Sequence, residues 1–154
     1  MNISSIDNSL QNDDSSILIN RFIDIYSQLN SGNLHLLDDV YSDSIVFSDP
    51  LHKLESLERV KSYMAHMYQN INNYSITIND AMVANDQAYL QWSMQFSHSR
   101  LNKGKLISFD GVSRLIFDQK ITHHQDYYDL GAMLYEHLPL IGKVIKFTKA
   151  KAGQ

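Results

Sequence analysis

Apolar positions fall into two rhythms along this chain. Leu18, Phe22, Ile25 and Leu29 recur at helical spacing, which predicts one apolar stripe on a first helix. Asp13, Asp14 and Ser15 precede it and offer N-cap side chains and negative charge. Ser31-Gly32 predicts its stop. A short second helix over 33–41 carries Leu34, Leu37 and Tyr41 on one side. Ile45-Val46-Phe47 reads as a short strand ended by Ser48-Asp49-Pro50. A third helix follows Glu55-Ser56, with Leu57, Val60, Met64 and Met67 facing inward.

Beyond that point the period changes to two. Tyr74–Ala84, Tyr89–His98, Leu106–Phe117 and Thr122–Asp129 read as strands. Asn85-Asp86, Asn102-Lys103-Gly104-Lys105 and Asp118-Gln119-Lys120 mark the turns between them. Leu90, Trp92, Met94 and Phe96 alternate with Gln91, Ser93, Gln95 and Ser97, so one face of the sheet is buried. Three helices with one short strand, then a four-stranded antiparallel meander, predict an α+β domain. A curled sheet with helices on its concave side encloses a space suited to small ligands. Trp92, Met94 and Phe96 are expected in the core and on the wall of that space.

The candidate chemistry sits on the last strand. His124, Asp126 and Tyr128 share one face, and His123, Gln125 and Tyr127 the other. An imidazole, a carboxylate and a phenol near a common point can move protons, and they are costly to bury without a role. Asp126 either orients His124 or acts as the base itself; the alternative is a satisfied polar pair. Asp49 before Pro50 is either a turn residue accepting backbone hydrogen bonds or a second pocket base. His124 and Asp126 offer at most two metal ligands, with His98 or His52 as a third. No metal signature such as His-Glu-x-x-His is present, so neither a metal nor a cofactor is expected. No glycine-rich phosphate loop or nucleophile elbow occurs.

Composition narrows the setting. The chain has 154 residues, 44% hydrophobic and 19% charged, as in an ordinary soluble domain. A net charge of −4 argues against nucleic-acid binding. The absence of cysteine excludes disulfides and thiolate chemistry. No apolar run reaches membrane-span length, and the polar start lacks a signal peptide's apolar stretch. A cytoplasmic protein is expected, with a flexible tail over 1–12, one domain over 13–138 and a basic tail over 139–154. From His137 onward there are four lysines and no acidic residue. Ile141, Val144, Ile145 and Thr148 stand opposite Lys143 and Lys146 at helical spacing, a signal that Pro139 and Gly142 weaken. A basic C-terminal helix packed on the sheet or on a second subunit is expected; anchoring on an anionic membrane surface is the alternative.

Two segments resemble the SnoaL-like and ketosteroid-isomerase-like branch of the nuclear transport factor 2 superfamily. Tyr41-Ser42-Asp43-Ser44-Ile45-Val46-Phe47-Ser48-Asp49-Pro50 resembles the helix-strand-Asp-Pro segment of those isomerases and of SnoaL-like polyketide cyclases. Phe117-Asp118-Gln119-Lys120-Ile121, followed by His124-Gln125-Asp126-Tyr127-Tyr128-Asp129, is similar to the turn and last strand of many SnoaL-like proteins. The resemblance spans about residues 16–135. It implies a cone-shaped curved antiparallel sheet closed by three N-terminal helices. It also implies that the face bearing His124, Asp126 and Tyr128 looks into the cone, and that outer sheet faces pair in a homodimer. The isomerase base corresponds to Asp49, and its two oxyanion donors to Phe22 and Ser113. Phe22 has no hydroxyl and Ser113 is a weaker, neutral donor. Such donors each contribute a few kcal/mol to the transition state, so steroid isomerisation by that route is not expected. The cyclases' acid–base aspartate favours Asp126 instead.

The resulting expectation is a small hydrophobic ligand, carbonyl-bearing if turned over, in a cone lined by Tyr128, Ser113, Trp92, Met94, Phe96 and Phe22. Asp126, His124 and Asp49 are the candidates for cofactor-free proton transfer. A non-catalytic ligand-sensing or protein-interaction module is the alternative.

Overall fold

Helical stripe and alternating strands take the positions their periods predict. The computed structural model describes residues 14–153; the polar stretch 1–12 and the capping Asp13 lie outside the described residues. Helix α1 (Asp14–Gln28) buries Ile19, Phe22, Ile25 and Tyr26, and Leu29 follows at its end. Each such side chain stabilises the fold by roughly 1.5–3 kcal/mol. A six-residue 3-10 turn (Leu34–Asp39) replaces the second predicted helix. Tyr41 is therefore not on a helix: it opens strand β1 (Tyr41–Ser48). Leu34 and Leu37 have helical spacing, but the turn stops at Asp39 and the Val40 carbonyl accepts from Ile121 N–H.

The chain then forms β2 (Lys53–Glu55), a three-residue strand with no sequence signal, and α2 (Leu57–Asn70). Ser56 caps α2, its hydroxyl accepting from Arg59 N–H. Strands β3 (Asn72–Ala84), β4 (Gln87–Ser97), β5 (Ile107–Phe117) and β6 (Ile121–Tyr128) form the expected meander. Asn85 makes the β3–β4 turn at φ 55°, a left-handed conformation that Asn tolerates. The six strands lie in the order β2-β1-β6-β5-β4-β3. All neighbours are antiparallel except β1 and β6, which run parallel. Irregular register in β1 and β3 marks where the pairing is broken, the usual means of bending a sheet. The sheet curves without closing, and α1 and α2 cover its concave side.

Two apolar clusters result. One joins α1, α2 and β1 to Leu90, Leu115, Phe117 and Ile121. The other gathers Trp92, Phe96, Leu101, Ile107 and Phe109 toward the opposite end of the meander. After β6 come α3 (Leu130–Met133), a 3-10 turn at Tyr135–His137 and α4 (Ile141–Ala152). The basic tail is thus helical: Pro139 precedes the helix, and Gly142 occupies its first turn. Its chief packing partner is the Tyr135–His137 turn rather than the sheet. Among the described residues no helix is long and apolar enough to cross a membrane.

Candidate functional site

The inner faces of β4, β5 and β6 meet α1, α2 and β1 around a cavity of about 230 Å³. It lies between the two apolar clusters. Strand register decides what faces it. Ser113 stands opposite Asp126, Gly111 opposite Tyr128, and Leu115 opposite His124. On the next strand Trp92 pairs with Gly111. A Cβ at Gly111 would stand 2.3 Å from the Trp92 ring, so glycine is what allows the indole to lie across β5. From there Trp92 Nε1–H donates to Ser113 Oγ at 2.9 Å.

A buried polar chain runs behind the cavity wall. His124 is 1% exposed. Its Nε2 is 2.7 Å from Asp126 Oδ1 and its Nδ1 2.5 Å from the Tyr41 hydroxyl. Tyr41 in turn bonds to the Tyr26 hydroxyl at 2.5 Å. Ser113 donates to the same Asp126 oxygen at 2.5 Å. With Asp126 a carboxylate, one proton order satisfies every group. Nε2–H donates to Asp126, Nδ1 accepts from Tyr41 O–H, and Tyr41 accepts from Tyr26 O–H. Burial pushes both phenols well above their ordinary pKa, Tyr26 also through Tyr41 and Asp126, and Tyr41 also through Asp126. Both stay protonated, as this order needs. Phe22 and Phe47 pack ring edges against His124, at 5.6 and 5.0 Å between centroids.

The two carboxylates are held differently. Asp126 Oδ1 is committed to His124 and Ser113, while Oδ2 has no protein hydrogen-bond partner among the described residues and Asp126 lines the cavity. Asp49 has both oxygens engaged. Its Oδ1 accepts from the Leu51 and His52 amides, both at 2.7 Å, and Oδ2 accepts from Tyr63 O–H at 3.1 Å. It lines the cavity as well, but as the pivot of the turn around Pro50. Both carboxylates act on the same space: burial, then Asp49 and Asp126, push the Tyr63 and Tyr128 phenols up. Tyr68 is pushed up to about 12 by burial. Tyr128 lines the cavity, and its hydroxyl makes no protein hydrogen bond among the described residues.

Several expected positions are therefore together, and three are displaced. Asp49, Asp126, Tyr128, Trp92, Met94 and Phe96 all line the cavity. Phe22 and Ser113 do not. Phe22 lies behind Tyr26, stacked on it with centroids 4.2 Å apart, and Tyr26 takes the wall position one helical turn later. Ser113 is 5% exposed and spends its hydroxyl on Asp126 rather than on a ligand. His124 likewise stands behind the wall, touching the cavity only through Asp126. Tyr26 and the partnership of Tyr41 with His124 were missed. Tyr26 is four residues after Phe22 and so shares its face, a signal the sequence did contain. Four methionines, Met64, Met67, Met94 and Met133, complete much of the apolar wall.

The SnoaL-like domain family model matches residues 19–124, and the chain belongs to that family. No curated protein matches the chain. Solved structures share the fold. One is a hypothetical protein with ketosteroid isomerase-like fold from Catenulispora acidiphila, in complex with trimethylamine. It is 18% identical with a TM-score of 0.67, over 79% of this chain and 93% of that one. An LEH-like epoxide hydrolase from M. tuberculosis is 13% identical with a TM-score of 0.62, over 78% and 86%. An NTF2-like protein of unknown function from Burkholderia pseudomallei is 8% identical with a TM-score of 0.70, over 80% and 96%. At these identities the likeness is one of fold.

Proposed function

We propose that the chain binds a small apolar carbonyl compound in the cone and transfers a proton on it without a cofactor. One observation carries this reading: Asp126 has one oxygen fixed by His124 and Ser113 and the other free toward an apolar cavity. A carboxylate so positioned is a general base. In the step, Asp126 Oδ2 takes the proton from the carbon next to the carbonyl. The C–H electrons form the enolate, and Tyr128 O–H donates to its oxygen. The same carboxyl then returns the proton at the same or a conjugated carbon. His124 is a positioning residue, held in its tautomer by Tyr41. Asp49, with both oxygens occupied, orders the turn and supports Tyr63.

Volume bounds the ligand. The cavity is about half as large again as the ~150 Å³ engineered cavity that binds benzene, so one or two rings fit. The small amine bound by the Catenulispora neighbour supports reading the cone as a small-molecule site. The test is α-proton exchange into D₂O of small cyclic ketones, followed by NMR. Asp126→Asn should abolish exchange and Tyr128→Phe should slow it about 10²-fold, while quenching of Trp92, the only tryptophan, still reports binding. Exchange at the wild-type rate in Asp126→Asn would overturn the assignment.

A second reading is a ligand sensor without turnover. It is favoured by Ser113 spending its hydroxyl on Asp126, which leaves Tyr128 as the free donor. Quenching of Trp92 by ketones that never exchange supports it. In either case we infer that the outer sheet face, where Tyr89, Val112 and Tyr127 are exposed, pairs two copies; a strict monomer in equilibrium sedimentation would refute this.

A further inference from the structure

Charge is distributed unevenly over this molecule. Residues 98–105 and 137–154 hold seven of the chain's 13 basic residues and none of its 17 acidic ones. The fold brings the two segments together. Arg100, Lys103 and Lys105 from the β4–β5 connection and Lys143 and Lys146 from α4 line one open groove. Glu136 is the one carboxylate on that groove among the described residues, and it is paired with Lys149.

Helix α4 is mounted through Gly142 and Ile145 and tied down by Lys149. Gly142 lies so close to the Glu136 carbonyl that a Cβ there would meet it at 2.3 Å. Lys149 Nζ binds Asp129 and Glu136 at 2.5 and 2.7 Å. The opposite side is left in water: Leu140, Ile141, Val144 and Phe147 are 79%, 53%, 64% and 64% exposed. A globular helix turns such a stripe toward the core. Here it faces out, flanked by Lys143 and Lys146, with Lys151 over the Phe147 ring.

We propose that this end of the molecule docks on an anionic lipid surface. Leu140, Val144 and Phe147 enter the headgroup layer, and the lysines and Arg100 meet the lipid phosphates. An apolar strip bordered by lysines is the arrangement that lies in a membrane interface. The remaining chain carries all 17 acidic residues and six basic ones, so an anionic surface attracts this end and repels the rest, which orients the molecule. A second copy fits the strip less well. Two-fold pairing brings together two helices that carry lysines and no acidic residue, and four side chains fall short of the ~800 Å² per partner of a stable interface. The connection bearing Arg100 also gives the cavity His98 and Leu101, so docking brings the cavity's wall to the lipid.

The test is flotation of the full chain with phosphatidylcholine vesicles, with and without phosphatidylserine. Binding is expected only when phosphatidylserine is present. Lys143→Gln and Lys146→Gln should each weaken it roughly fivefold, and Val144→Ser with Phe147→Ser should abolish it with an unchanged circular dichroism melt. Equal binding to both vesicle types, no binding to either, or full binding by the Val144→Ser, Phe147→Ser variant would each overturn the proposal. So would a dimer that the same variant dissolves in sedimentation, since the strip then covers a second copy.

Discussion

Tyr41→Phe separates the polar chain behind the cavity from ordinary core packing. The phenyl ring keeps the shape of the site and removes one hydroxyl. That hydroxyl bonds both His124 Nδ1 and Tyr26, each at 2.5 Å. Its loss has unequal consequences for the two partners. Tyr26 lines the cavity and can turn to water there. His124 is 1% exposed, so its Nδ1 is left buried and unpaired. An unsatisfied buried group costs about 1–3 kcal/mol. Tyr26→Phe, by contrast, leaves Tyr41 still donating to His124 and should cost about 1 kcal/mol. With a urea m-value of ~2 kcal/mol/M for a domain of this size, the first variant should lower the unfolding midpoint by about 0.5–1.5 M. The second should lower it by half a molar or less. The ¹⁵N shift of His124 Nδ1 should move toward that of an unbonded acceptor nitrogen in Tyr41→Phe and stay unchanged in Tyr26→Phe, while Asp126 keeps the proton on Nε2 in both. Equal midpoints for the two variants, or a His124 spectrum indifferent to Tyr41, would refute the assigned proton order.

Two further outcomes follow from the same geometry. Gly111→Ala must push the Trp92 indole off β5, because the added Cβ would stand 2.3 Å from the ring; a loss of about 1–3 kcal/mol and a shifted Trp92 emission maximum are expected, and an unshifted spectrum with full stability would contradict the packing. The α4 attachment should depend on pH at both extremes. The Lys149 ammonium, then the Gly131 and Ala132 amides, hold the Asp129 carboxyl below its ordinary value. Its contribution is present above about pH 4 and is lost as pH falls through the lowered folded value. Asp129 and Glu136 raise the Lys149 ammonium. Its contribution is present below about pH 10.4 and is lost as pH rises through the raised folded value. NMR shifts of α4 should therefore move toward coil at strong acid while β5 shifts hold, and α4 shifts that never move would count against the ion pair.

Much of this architecture was legible in residue spacing. Leu57, Val60 and Met64 marked α2, and the alternation from Leu90 to Phe96 marked β4. Period two on the last strand correctly turned Asp126 and Tyr128 inward and Tyr127 outward. Pairings between distant segments were not legible. The Tyr41–His124 bond spans 83 positions and depends on β1 running parallel to β6, which no local pattern encodes. Tyr41 looked helical because it continues the spacing of Leu34 and Leu37; its bridge to the last strand overrode that. The resemblance placed an oxyanion donor at Phe22, whereas the cavity receives its α1 phenol from Tyr26. The stripe on α4 was visible in sequence, but its direction was not. That direction depends on Lys149 meeting Asp129 and Glu136, two acids on other elements.

The methionine-rich wall has a consequence for redox chemistry. Four of the chain's six methionines line the cavity, and no cysteine is present to react first. Peroxide would convert these thioethers to sulfoxides, replacing soft apolar surface with strong dipoles. Ligand affinity should then fall reversibly, restored by methionine sulfoxide reductase, at a dose where the sheet is still intact. Mass spectrometry of the oxidised protein, read beside Trp92 quenching, would show whether the cone carries its own oxidative off-state.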